Sequence, residues 1–196
     1  VLLVLSAEVQ AGAVSFHSFD VEEIFSTADG LVQFVELRET EGLAGQFHFA
    51  EIFMTVDEGY YQFGSDLPSS DTAYRNVLIA TAGFHQLCGI TPDYYMPQGF
   101  MNVAGDTVAI RETLESPPTT ELTFLAGELP LDGVNALLSN GTTAVNSPTN
   151  YWGQTCTLNL PARMPAASSW ALAALGGLLV AAGTGVIFRA RRRPMV

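Results

Sequence analysis

The chain contains no lysine. Its cations are all arginines, and its 20 Asp and Glu residues outnumber them for a formal net charge of −12. Every carboxylate lies at or before Asp132, and only Arg38, Arg75, Arg111 and Arg163 offset them ahead of a terminal arginine cluster. A body this acidic repels a phosphate backbone, which excludes nucleic acid as a partner. Histidine is scarce, at His17, His48 and His85. There is no His-Glu-x-x-His pair, no Gly-x-Ser-x-Gly elbow and no Gly-rich phosphate loop. No catalytic residue, cofactor or metal ligand is assigned on motif grounds. A hydrolase whose site is assembled from distant residues is kept as an alternative, because catalytic triads form in space and not along the chain. Sustained helical periodicity is also missing from Val14 to Leu160, and no internal repeat is visible.

One long run without charge is present, from Trp170 to Phe188, followed by Arg189, Arg191, Arg192 and Arg193. At ~1.5 Å rise per residue it is about long enough to cross a hydrocarbon core of ~30 Å. Arginines directly after it mark a cytoplasmic end. The expectation is a single C-terminal transmembrane helix at 170–188, a basic cytoplasmic tail at 189–196 and a linker at 161–169. Together Pro165, Ser168, Trp170 and the arginines resemble the bacterial C-terminal sorting signals of the PEP-CTERM, IPTL-CTERM and MYXO-CTERM kind, with Met-Pro-Ala-Ala in place of Ile-Pro-Thr-Leu. That resemblance implies a sorting protease as a partner, contact with the membrane through the helix, and a cell-envelope location.

The N-terminal end agrees with export. Val1 to Leu5 is apolar and Ala11-Gly12-Ala13 is a small-residue triplet, so 1–13 reads as a signal-peptide remnant. A first β-strand is the alternative.

The body, 14–160, has the length of one domain. Short runs rich in Phe, Val, Thr and Tyr recur between Gly and Pro breaks, which is the pattern of an all-β sandwich or barrel. The clearest unit is a hairpin, with Phe19 to Phe25 and Leu31 to Leu37 flanking Ser26-Thr27-Ala28-Asp29-Gly30. Alternation expects Val35 and Leu37 in the core and Glu36 on the opposite, solvated side, where Glu36→Gln changes stability by roughly half a kcal/mol or less. Further strands are expected at Gln46 to Val56, Tyr60 to Phe63, Arg75 to Ala82, Asp106 to Glu112 and Glu121 to Phe124. Asn76 to Thr81 reads as a central strand buried on both sides. Ser116-Pro117-Pro118 marks a hairpin loop. Pro130 to Asn140 has helical spacing at Val134, Leu137 and Leu138, and polar Asn140 to Gln154 reads as a loop towards the linker.

The order Val21-Glu22-Glu23-Ile24, Phe34-Val35-Glu36-Leu37, Val77-Leu78-Ile79-Ala80-Thr81 and Gly105-Asp106-Thr107-Val108-Ala109-Ile110 resembles the lamin-tail domain, over about Phe19 to Phe124. The resemblance implies an immunoglobulin-like β-sandwich and carries no shared catalytic residues. Arg38-Glu39-Thr40 and Gly45-Gln46-Phe47-His48-Phe49 depart from that family's pattern.

Three sets of residues remain as site candidates. Cys88 and Cys156 are the only cysteines. In an exported chain they form a disulfide. The alternatives are two free thiols, or a metal held with His85. Asp20, Glu22, Glu23, Asp29 and Glu36 gather acids about the hairpin, as a solvated face or a calcium site. Tyr60, Tyr61, Tyr94, Tyr95, Tyr151 and Trp152 are the aromatic candidates, and Tyr151-Trp152 reads either as a recognition patch or as a cap on the base of the sandwich. The functional expectation is a non-enzymatic, envelope-displayed module for surface interaction or assembly, with a carbohydrate- or calcium-binding module as the alternative.

Overall fold

The computed structural model describes residues 18–50 and 52–161. The signal remnant, the sorting residues Pro165, Ser168 and Trp170, the Trp170 to Phe188 run and Arg189, Arg191, Arg192 and Arg193 lie outside them. Among the described residues no helix is long and apolar enough to cross a membrane.

The described residues form two β-sheets and one short helix. The strands, in chain order, are β1 (Phe19–Ser26), β2 (Gln33–Glu39), β3 (Phe53–Val56), β4 (Gly59–Gln62), β5 (Asn76–Ala80), β6 (Tyr94–Tyr95), β7 (Asp106–Arg111), β8 (Thr120–Phe124), β9 (Asn135–Leu138) and β10 (Thr143–Val145), with α1 (Ala82–Cys88) between β5 and β6. One sheet runs β10-β9-β1-β2-β5-β6 and the other β4-β3-β7-β8. All pairings are antiparallel except β5 with β6.

The β1–β2 hairpin turns where Asp-Gly expects it. The Asp29 carboxylate accepts the Thr27 hydroxyl at 2.6 Å and the Leu31 N–H at 3.2 Å. Gly30 sits at φ +68°, a conformation that favours glycine. Val21, Ile24, Val35, Leu37, Val77 and Ile79 from the first sheet meet Met54, Val56, Val108, Ile110, Leu122 and Phe124 from the second in one shared core. Leu37 is fully buried there. Leu37→Ala is expected to cost about 3 kcal/mol in urea unfolding, because removing a buried leucine loses its burial and leaves a cavity. A loss below about 1 kcal/mol would show that the site collapses around the deletion.

The first sheet is covered on its other face as well. Phe25, Phe34, Leu78 and Ala80 point away from the shared core and pack with Phe84 of α1, Ala136 and Leu158. This corrects the placement of Glu36 on a solvated face. Glu36 does alternate with Val35 and Leu37, but its face is covered and it is 3% exposed. The central, two-sided strand is found as expected, with Val77, Leu78, Ile79 and Ala80 all buried.

Three other expectations are corrected. Only Phe53–Val56 of the Gln46 to Val56 segment is strand. Gln46 to Ala50 is instead held by single bonds, such as Gln46 N–H to Thr72 Oγ1. Pro130 to Asn140 contains β9 and no helix. Its backbone turns at Asp132, whose Oδ1 accepts the Val134 and Asn135 N–H groups at 2.8 Å each. Ala136 and Leu137 then point to opposite cores, so apolar spacing that fits a helix here serves a strand buried on both sides. Asn140 to Gln154 is not a loop leading away. It supplies β10 and then folds back over the first sheet.

Candidate functional site

Residues 146–158 form a strap across the outer face of the six-stranded sheet. Its start and end are joined by Asn146, a fully buried amide. Asn146 Nδ2 donates to the carbonyls of Val134 and Leu158, and its Oδ1 accepts the Leu158 N–H at 2.8 Å. Midway the strap turns back on itself. Asn150 Oδ1 accepts the Gln154 N–H, Asn150 Nδ2 donates to Gln154 Oε1, and Gly153 closes the turn at φ +75°. Thr149 and Thr155 bridge the two limbs.

Three carboxylates of the sheet receive the strap at alternate residues. Ser147 N–H donates to Glu23 Oε1 at 3.0 Å, Thr149 N–H to Glu36 Oε2 at 2.8 Å and Tyr151 N–H to Asp93 Oδ2 at 2.9 Å. Glu23 lies on β1, Glu36 on β2, and Asp93 precedes β6 while its Oδ2 also accepts the Leu78 N–H of β5. The strap therefore crosses the strands, taking one carboxylate per step. In an extended chain every second N–H points the same way, so the spacing at 147, 149 and 151 follows from backbone geometry. Side-chain oxygens are the only acceptors that can stand up from a sheet whose own carbonyls are used in its ladders.

A β-bulge makes this arrangement. The β1–β2 register passes from Val21 opposite Leu37 to Glu23 opposite Glu36, so Glu22 is an extra residue. Without it, strict alternation would send Glu23 to the core side with Val21. With it, Glu23 and Glu36 become cross-strand neighbours on the outer face, each 3% exposed. Simple alternation along the sequence does not reveal such a shift.

Burial pushes Glu36 up to about 8, against the Thr149 N–H bond, with Glu23 and Glu22 raising it further and Arg38 lowering it. Burial likewise pushes Glu23 up to about 7, against its bonds to Ser147. Asp93 is raised by the same cause. Glu39 shows the opposite balance. Burial works to raise it, but the N–H groups of Tyr74, Leu43 and Glu41 outweigh that and hold it below the usual carboxylate range. Raised carboxylates are often catalytic. Here, however, Glu23 and Glu36 are covered by the strap and line neither of the grooves described below, so their place is in holding the strap.

The remaining candidates are distributed as follows. Cys88, the last residue of α1, and Cys156, on the returning limb of the strap, meet as a disulfide pair with Cα atoms 6.0 Å apart, within the usual range. His85 has helical spacing to Cys88, but its Nδ1 lies 2.8 Å from the Ile90 carbonyl oxygen. The hairpin acids do not converge. Asp20 accepts the Thr40 hydroxyl, Asp29 closes the turn, and Glu23 and Glu36 lie under the strap. Among the described residues no group of three or more His, Cys, Asp or Glu side chains could hold a metal. His48 is exposed, with Nδ1 3.2 Å from Asp66 Oδ2, while Phe49 is buried.

Tyr151 and Trp152 are placed differently. Tyr151 is buried, and its hydroxyl donates to the Asp71 carbonyl at 2.7 Å with the Ser69 carbonyl oxygen also near, at 3.1 Å. Trp152, at the tip of the strap, is 66% exposed, with the Tyr151 ring edge-on at 5.3 Å between centroids. It lines a groove of about 460 Å³ with Pro68, Pro92, Asp66, Thr91 and Gln154. A second groove of about 510 Å³ lies against the four-stranded sheet at Thr55, Tyr60 and Arg111. Arg111 is engaged there, its Nε donating to Thr55 Oγ1 at 3.3 Å. No family model, no curated protein and no solved structure matches this chain.

Proposed function

We propose that the chain is an exported, envelope-anchored, non-enzymatic module for surface interaction or assembly, sorted by its C-terminal signal, with an immunoglobulin-like β-sandwich as its body. The observation that carries the interaction reading is Trp152. A tryptophan gains a large burial energy when covered, yet this one is held in water on a turn fixed by a carboxylate ladder, a paired Asn150–Gln154 amide and a disulfide. Rigid aromatic side chains on a fixed turn lose little entropy on contact, as anchors of recognition surfaces require.

The cysteine pair supports export, since disulfides persist in oxidising compartments. The segments that carry the lamin-tail resemblance fall in β1, β2, β5 and β7, with the first three in one sheet and the last in the other, which supports a sandwich of that general kind. The envelope location rests on the charge-free Trp170 to Phe188 run and the arginines after it.

Expression of the full chain with an export signal is expected to place it in the bacterial membrane fraction. Deletion after Leu160 is expected to release the body into the soluble periplasmic or external fraction. A truncated chain that still sedimented with membranes would defeat the anchor reading.

A further inference from the structure

We propose that the groove beside Trp152 binds a neutral saccharide. This rests on the surface-interaction reading and names the ligand class for it. The apolar side of the groove is the exposed Trp152 ring with Pro68 and Pro92. Its polar side carries hydroxyls at Ser65 and Thr91, the Asp66 carboxylate, and Gln154, whose Oε1 accepts from Asn150 Nδ2 and whose Nε2 is left as a donor for another group.

Charge narrows the class from both directions. The groove's ionisable groups include Asp66 and Asp93, and the chain is strongly acidic, so an anionic ligand is repelled. A cationic ligand would pair with those carboxylates alone and leave the Gln154 amide donor and the Ser65 and Thr91 hydroxyls unmatched, and each carboxylate already accepts protein N–H groups. Asp66 accepts the Ala50 N–H at 2.9 Å and faces His48 Nδ1, and Asp93 accepts from Leu78 and Tyr151. What remains complementary is an uncharged ligand with one apolar face and many groups that both donate and accept. A pyranose ring fits that description. Its C–H face carries slight positive charge and complements the negative face of an aromatic ring, and its hydroxyls match a mixed set of carboxylate, amide and hydroxyl partners. A peptide adding as a strand is the weaker fit, because β6, the sheet edge at this groove, is only two residues long.

The test uses the full oxidised chain in nanodiscs with Trp170→Phe, which leaves Trp152 as the sole tryptophan. Its emission is followed while glucose and N-acetylglucosamine oligosaccharides, a uronate oligomer, a lysine-rich peptide and a proline-rich peptide are added in turn. A saturable shift with a neutral oligosaccharide, little changed by salt, is expected. By calorimetry, Trp152→Ala should weaken that binding at least tenfold with an unchanged urea midpoint, and Gln154→Ala should weaken it severalfold. A response only to the uronate or to either peptide, no response to any neutral oligosaccharide, or undiminished binding by Trp152→Ala would overturn the proposal. Capture of the nanodiscs on purified cell-wall and surface-polysaccharide fractions separates the two levels of failure. Capture that falls in Trp152→Ala without saccharide binding discards the ligand class and keeps the surface reading. Capture that does not depend on Trp152 discards the surface reading too.

Discussion

Stability should fall as pH rises from about 5.5 to about 8.5, by on the order of 3 to 5 kcal/mol, and the double variant Glu23→Gln/Glu36→Gln should abolish most of that slope. Both carboxyls are raised in the folded chain, to about 7 and about 8, from an ordinary 4.5. A carboxyl raised by folding binds its proton more tightly in the native state. Its contribution is therefore fully present below about pH 4.5 and is lost as pH rises through the folded values. Each tenfold gain in proton affinity on folding is worth roughly 1.4 kcal/mol. Only part of that gain is lost within the window, because the loss already begins below about pH 5.5. Glutamine matches the neutral acid in shape, and its amide oxygen can still accept the N–H of Ser147 or Thr149. Urea unfolding at about pH 5.5, 7 and 8.5 measures the effect. The double variant should be nearly flat across this window and more stable than the parent at its alkaline end. A slope that survives both substitutions would show that the strap does not depend on these acids.

Opening the Cys88–Cys156 bond should cost about 4 kcal/mol. The residues lie 68 apart in sequence, and closing a loop of that length removes a corresponding entropy from the unfolded chain. The bond also joins α1 to the returning limb of the strap, so its loss should be felt locally. Amide hydrogen exchange is expected to quicken over 146–158 on reduction while Val35, Leu37 and Val77 in the shared core stay protected. The urea midpoint of the Cys88→Ala/Cys156→Ala variant, compared with the oxidised chain, gives the magnitude. Equal midpoints would mean that the noncovalent contacts of Asn146 and the three carboxylates hold the strap unaided.

The two predictions act on the same segment by different means, so their combination is informative. At low pH the neutral carboxyls favour the closed strap, and reduction should quicken exchange over 146–158 least. At high pH the charged pair under the strap opposes closure, and reduction should quicken exchange there most.

Much of the sandwich can be read along the chain, because its signals are local. Asp29-Gly30 specifies a turn by backbone sterics, and the turn closes as expected. Val35 and Leu37 alternate into the core because strand side chains must alternate. The unbroken apolar run Val77 to Ala80 has no polar position to give to water, so it can only be a strand buried on both sides. Two cysteines in an acidic chain with an export-like tail suggest their own pairing. Other decisions belong to contacts far apart in sequence. Whether Glu36 meets water depends on Thr149, and nothing near Glu36 announces that partner. Glu23 faces Glu36 only because a bulge at Glu22 shifts the register, and a bulge is settled by both strands together. Ala136 and Leu137 serve two cores at once, which gives β9 an apolar spacing that also fits a helix. Asn146 to Gln154 looks like polar loop because its amides and hydroxyls are what a strap needs when it must satisfy its backbone against side chains and not against a neighbouring strand. Residue type and local spacing therefore determined the first hairpin and its turn, the central buried strand and the cysteine pair. Tertiary structure alone decided that the second face of the sheet is covered, that three acids lie under the cover, and that of two adjacent aromatics Tyr151 anchors the strap while Trp152 faces water.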